Sequence, residues 1–195
     1  MSKNLDLSLD QLESIIGHFN TPFHIYDKNK IINHANNFMN TFRKYIPDFQ
    51  QYFAVKALPN LKIMKILYDC GMGFDCSSVF ELQLATQIAP PDKIVYTSNY
   101  TSVEDLEIVL KSKVIINLDD IDCLDNLEIA LISTDCEMPE LICFRLNPCI
   151  GTTDSETVSN ILGGDCSKFG IPGTKIIEAY KKAQLMGFKK FGIHR

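Results

Sequence analysis

The run Gln51-Tyr52-Phe53-Ala54-Val55-Lys56-Ala57-Leu58-Pro59-Asn60 reads as a buried strand that delivers one lysine to a polar rim. Tyr52, Phe53 and Val55 favour a pleated backbone. Pro59 restricts Leu58 to extended geometry and ends the run. The residues that follow, 61–70, change to helical spacing, with Leu61, Met64 and Leu67 on one face and Lys62 and Lys65 off it. Lys56 therefore falls at the carboxyl end of a strand, just ahead of a strand-to-helix loop. In α/β folds that edge is where ligands and catalytic groups gather.

Two readings of Lys56 compete. In the bland one its stem packs against the strand end and its ammonium stays in water. In the functional one it is a desolvated amine that condenses with a carbonyl. That use calls for a pKa lowered from about 10.4 to roughly 7–8, or about 4 kcal/mol. Burial at the strand end plus a nearby cation can supply such a shift.

Outward from this strand the chain alternates. A helix is predicted over 28–45, capped by Asp27 and closed by Pro47, with a short strand before it at Phe23-His24-Ile25-Tyr26. After the Lys56 unit come strands over 73–77, 93–97, 114–118, 141–146 and 190–194. Helices over 79–88, 102–110, 121–132 and 173–186 accompany them, and a long polar loop is predicted over 147–169. Residues 1–22 form an amphipathic lead-in, with Leu12, Ile15 and Ile16 at helical spacing and Ser8 as cap. Short apolar strands separated by helices indicate βαβ units and a parallel sheet covered on both faces. The repeat favours a (β/α) barrel over an open sheet. A finished barrel takes about 250 residues, and this chain has 195.

Composition narrows the function. A net charge of −5 argues against nucleic acid as the main partner. No apolar run approaches the roughly 20 residues that cross a bilayer, and Met1–Asp6 has no apolar secretory core. Seven scattered cysteines, Cys70, Cys76, Cys123, Cys136, Cys143, Cys149 and Cys166, contain no C-x-x-C pair and read as reduced thiols. The expected location is the cytoplasm, with no metal site.

Polar residues recur at strand ends. Asp75 with Ser77 and Ser78, Asn99, Asp119 with Asp120, and His194 all fall there. Ser77 or Ser78 is a candidate cap for the helix over 79–88, and Asp119 or Asp120 for the helix over 121–132. His194 has a bland reading as a polar residue near the chain end. Arg145 interrupts the apolar run 141–146 and needs an anion nearby. Asp75, on another strand, is the candidate partner.

The ordered set of motifs resembles one family. Phe53-Ala54-Val55-Lys56-Ala57 is similar to the cofactor-lysine strand of the fold-type III pyridoxal-phosphate decarboxylases, which act on diaminopimelate, ornithine and arginine. Gly73-Phe74-Asp75-Cys76-Ser77-Ser78 with Glu81-Leu82 follows it. Val95–Asn99, Ile116–Asp119, Cys143–Pro148, Ser167–Gly170 and Phe191–His194 complete the series. The wording Ala57-x-Pro59-Asn60 and Cys76-Ser77-Ser78 is closest to diaminopimelate decarboxylase-like sequences. The resemblance runs from about residue 22 to the end.

What the resemblance implies is an alanine racemase-like (β/α)8 barrel, incomplete at about six of eight strands, over residues 23–195. Pyridoxal 5'-phosphate is the implied cofactor, and a basic or diamino amino acid the implied substrate. Lys56 would hold the cofactor covalently, with Asp75, Arg145 and His194 around it. His194 matches the first histidine of the family's H-x-H-x-G-S pattern, of which Arg195 would be the first free position and the last residue in this sequence. The Gly-rich phosphate loop, the Glu-x-Gly-Arg segment and the C-terminal β-domain of the family do not occur in these residues. The expectation is thus the amino-terminal part of a decarboxylase, inactive alone, that forms a homodimer or pairs with a missing C-terminal segment. Two alternatives stand beside it: a non-catalytic relative that binds a partner chain, and a different barrel or open-sheet α/β enzyme, such as a cofactor-binding regulator of the alanine-racemase-like type.

Overall fold

The computed structural model describes residues 7–149 and 167–195. Cys166, the opening residues 1–6 and most of the loop predicted over 147–169 lie outside them. Seven parallel strands form the sheet: β1 (Tyr52–Ala54), β2 (Gly73–Cys76), β3 (Ile94–Ser98), β4 (Ile115–Leu118), β5 (Leu141–Asn147), the two-residue β6 (Ile171–Pro172) and β7 (Lys190–His194). β7 pairs directly with β5, and β6 pairs only with the end of β5, at Leu146 and Asn147. Six strands therefore follow one another in barrel order, with helices between them. This is a (β/α) barrel that lacks closure among the described residues.

The helices are α1 (Leu9–His18), α2 (Lys28–Arg43), α3 (Leu61–Asp69), α4 (Val79–Ala85), α5 (Val103–Ser112), α6 (Cys123–Thr134) and α7 (Ile176–Met186). Their starts follow from local chemistry. Ser8 and Gln11 exchange hydrogen bonds in a capping box at α1. Asp27 caps α2, Asn60 caps α3 through the amides of Lys62 and Ile63, Ser78 caps α4 and Ser102 caps α5.

The sheet has two unlike faces. Phe74, Cys76, Ile94, Tyr96, Ile116, Leu118, Ile142 and Phe144 point to the helices and are almost fully buried, in one core with Leu82, Leu106, Leu124 and Leu127. The alternate positions face the barrel interior, and most of them, Asp75, Val95, Thr97, Ile115, Cys143 and Arg145, are only partly covered. A second, smaller core holds α2 against α3 through Ala35, Met39, Ile63 and Leu67. Close approach fixes Gly73, where a Cβ would lie 2.7 Å from the Tyr52 ring and 2.5 Å from the Lys93 carbonyl oxygen.

Two elements differ from the sequence reading. The strand expected at Phe23-His24-Ile25-Tyr26 does not form. A strand needs a neighbour for its backbone groups, and no described segment pairs with it. The Lys56 strand ends earlier than its β-formers suggest: Val55–Ala57 is a single 3₁₀ turn, closed by the Leu58 amide on the Val55 carbonyl.

Candidate functional site

Register sets the height of each side chain on the interior face. Ala54 pairs with Asp75, Asp75 with Val95 and Val95 with Ile115. One step toward the carboxyl rim, Thr97 pairs with Asn117, Asn117 with Cys143 and Cys143 with Gly192. One step further, Arg145 pairs with His194. Three tiers of side chains thus rise toward the strand ends, and polarity is concentrated in the upper two.

Lys56 lies just past β1, exposed on its 3₁₀ turn at the carboxyl rim. Its charge acts on Asp75. Asp75 is half-buried, and burial raises its pKa, while the nearby Thr97 hydroxyl and the charges of His194 and Lys56 work in the opposite direction. Its Oδ1 is buried without a hydrogen-bond partner. Behind it, the Glu81 carboxylate accepts from the Ser77 amide and the Ser77 hydroxyl, both at 2.9 Å. The turn that follows Asp75 is thereby clamped to the first turn of α4.

Arg145 does not pair with Asp75. Its guanidinium donates to Asp119 Oδ1 at 2.9 Å and lies over the Phe169 ring at 4.4 Å. The other Asp119 oxygen accepts from the Gly170 amide at 2.9 Å. The physical reason is height. Asp119 is two residues beyond Asn117 and so stands level with Arg145 on the adjacent strand, whereas Asp75 sits two tiers lower and three strands away. Asp119 is therefore an ion-pair partner, not the cap of α6. That helix begins at Asp122 without a side-chain cap, and Asp120 instead accepts from the Asp122 amide.

His194 is half-buried. Burial lowers its pKa; Asp75 and Asp119 oppose that and Arg145 adds to it. Its Nδ1 lies 2.7 Å from Asn117 Nδ2, which also donates to Thr97 Oγ1 at 3.2 Å. Asn117 is 2% exposed, and its Oδ1 is a second buried oxygen without a partner. Thus Asp75 and His194 of the sequence-predicted set share one interior face with Lys56 at its rim, and Arg145 joins them through His194 rather than Asp75. Thr97 and Asn117 were not singled out from sequence, and Asp119 was singled out only as a strand-end residue and candidate cap. Their signal was a polar residue recurring at every second position of otherwise apolar strands.

A rim amine beside a carboxylate, a histidine and two unpartnered buried oxygens suits a polar carbonyl cofactor. Among the described residues no group of three His, Cys, Asp or Glu side chains is placed to hold a metal ion, and no helix is long and apolar enough to cross a membrane.

Comparison with known proteins gives the same picture. The model of the pyridoxal binding domain of the pyridoxal-dependent decarboxylases matches residues 29–194. The protein TabA of Pseudomonas amygdali pv. tabaci is 37% identical over 184 residues, 94% of this chain and 41% of that protein. Diaminopimelate decarboxylase of Methanothermobacter thermautotrophicus is 35% identical, covering 90% of this chain and 40% of its own. The structure of Helicobacter pylori diaminopimelate decarboxylase complexed with L-lysine superposes with a TM-score of 0.80 at 26% identity, over 94% of this chain and 46% of that one. The chain thus spans about two fifths of the length of the curated relatives it matches.

Proposed function

This chain belongs to the pyridoxal-dependent decarboxylases, and from that premise we propose that it supplies the cofactor-binding part of an enzyme that decarboxylates a basic or diamino amino acid, diaminopimelate or an ornithine-like substrate. The observation that carries the reading is the position of Lys56: exposed at the carboxyl rim, its charge felt by Asp75. Residues 23–195 form the barrel portion and residues 1–22 its lead-in. Further barrel strands and a β-domain, from the same polypeptide or a partner, complete the site.

When bound, pyridoxal phosphate supplies an electron sink for the pair left as carbon dioxide departs. The residues of this chain then have distinct tasks. Lys56 Nζ would form the covalent link and later accept and return a proton. Asp75 would hold the Lys56 ammonium toward the interior. Asn117 and His194 would help to hold it through their polar atoms. Arg145, fixed by Asp119 and Phe169, would set the positive potential at the rim where an anionic group enters.

Titration with pyridoxal phosphate tests this. The wild-type chain is expected to develop the visible absorbance of a Schiff base, and Lys56→Ala to lose it. A folded wild-type sample with no such band would contradict the assignment. It would favour the second reading, a non-catalytic relative that binds a partner chain, which draws on the exposed Phe191 and Ile193 of β7.

A further inference from the structure

His194 is the last residue of β7, and among the described residues β7 pairs with β5 alone. Its register partner, Arg145, is committed to Asp119 Oδ1 at 2.9 Å and to the Phe169 ring at 4.4 Å. The imidazole instead reaches one tier down and across β5 to Asn117 of β4, two strand spacings away, or about 10 Å between backbones. The tier between them is low. Cys143 is small, and Gly192 admits no side chain, since a Cβ there would collide with Cys143 Sγ. The Asn117 amide lies 2.7 Å from His194 Nδ1 and 3.2 Å from Thr97 Oγ1. The contact with Asn117 is the only hydrogen bond of the ring among the described residues.

This contact holds whichever way the amide is turned. A nitrogen facing the ring donates to a lone pair on Nδ1, and the Thr97 hydroxyl accepts from it as well. An oxygen facing the ring accepts from Nδ1–H and from that hydroxyl. In both cases one end of the amide serves both neighbours. The two partners differ in their support. Asn117 is 2% exposed on a strand paired on both sides, whereas His194 is half-buried at the end of an edge. We infer that Asn117 is the positioning residue of His194: it fixes the imidazole on the interior face and acts on a bound cofactor through that ring. The functional half of this inference rests on the proposed function, in which His194 is a site residue. A ring already fixed spares the cofactor the cost of ordering it.

Carbon-13 relaxation of the histidine rings, measured without cofactor, reads the mobility directly. His194→Gln identifies the signal among the four histidines, of which His18, His24 and His34 are exposed. The wild-type His194 ring is expected in the rigid range, with an order parameter of about 0.85, and Asn117→Leu, of similar volume, is expected to lower it below about 0.6. The β7 backbone amides should stay rigid in that variant, which separates release of the ring from loosening of the strand. Asn117→Asp keeps an acceptor at the same reach and is expected to restore the rigid ring. Should Asn117→Leu fail to fold, Asn117→Ala, which cannot overpack the site, is read in the same way. A ring that stays rigid without the amide, or mobile with the aspartate, would overturn the inference. With pyridoxal phosphate, the affinity followed by the Schiff-base band is expected to fall about three- to tenfold in Asn117→Leu. An unchanged affinity with a freed ring would also overturn it. A wild-type chain with no such band contradicts the proposed function instead and leaves the ring measurement to decide this inference by itself.

Discussion

The helix-facing and interior-facing sides of β2 to β5 are built from the same strands and have opposite characters. On the helix side Phe74, Tyr96, Ile116 and Phe144 are at most 1% exposed. One residue along, Asp75, Thr97, Asn117 and Arg145 are polar; Asn117 donates to Thr97, and Arg145 pairs with Asp119. Period-two alternation assigns stability to one face and chemistry to the other. The difference teaches that a polar residue inside an apolar strand here marks a tier of the site, not a defect in the core.

Substitutions can break or sharpen that division. Phe144→Ala on the helix side is expected to have the largest effect, a loss of about 3–5 kcal/mol, seen as a lower midpoint in urea unfolding. Asp119→Ala on the rim side strands Arg145 and the Gly170 amide. Because Arg145 keeps some access to water, its cost is expected to be smaller, about 2 kcal/mol, with faster hydrogen exchange at Gly170. If the Asp119 change equalled or exceeded the Phe144 change, the rim would be part of the stability core and the division would fail.

Smaller effects test the boundary. Ser78→Ala removes the cap of α4 and is expected to cost about 1 kcal/mol, read in the same unfolding experiment. His194 gives a pH signature. Its folded pKa lies below 6.5, so in the window below 6.5 the unfolded chain binds more protons and stability falls as pH drops through that window. His194→Gln is expected to flatten this slope. Asp75 has the opposite sign. Its folded pKa lies above 3.8, so stability falls as pH rises from 3.8 to the folded pKa, and Asp75→Asn is expected to be mildly stabilising at neutral pH.

Much of this was readable in the residues. Short apolar runs alternating with helical spacing located all six strands that follow one another in barrel order. Lys56 and Asp75 emerged because strand ends in such folds gather polar groups. Three things were not readable. Phe23–Tyr26 has strand-like composition, but pairing depends on a neighbour that composition does not provide. Val55–Ala57 turns into a 3₁₀ helix although Val55 favours strands, because the Leu58 amide closes back on Val55. The partner of Arg145 depends on register between strands, and register places Asp119 level with it while Asp75 remains two tiers below. Asn117 and Thr97 escaped notice for the same reason: each is ordinary in its own strand and significant only beside its neighbours.

The central claim concerns one amine, and reductive trapping tests it most directly. Borohydride reduction of the chain mixed with pyridoxal phosphate, followed by peptide mapping, is expected to place the adduct on Lys56 in preference to the exposed Lys62 and Lys65 of the adjoining helix. An adduct spread evenly over those surface lysines, with none favoured at Lys56, would contradict the account.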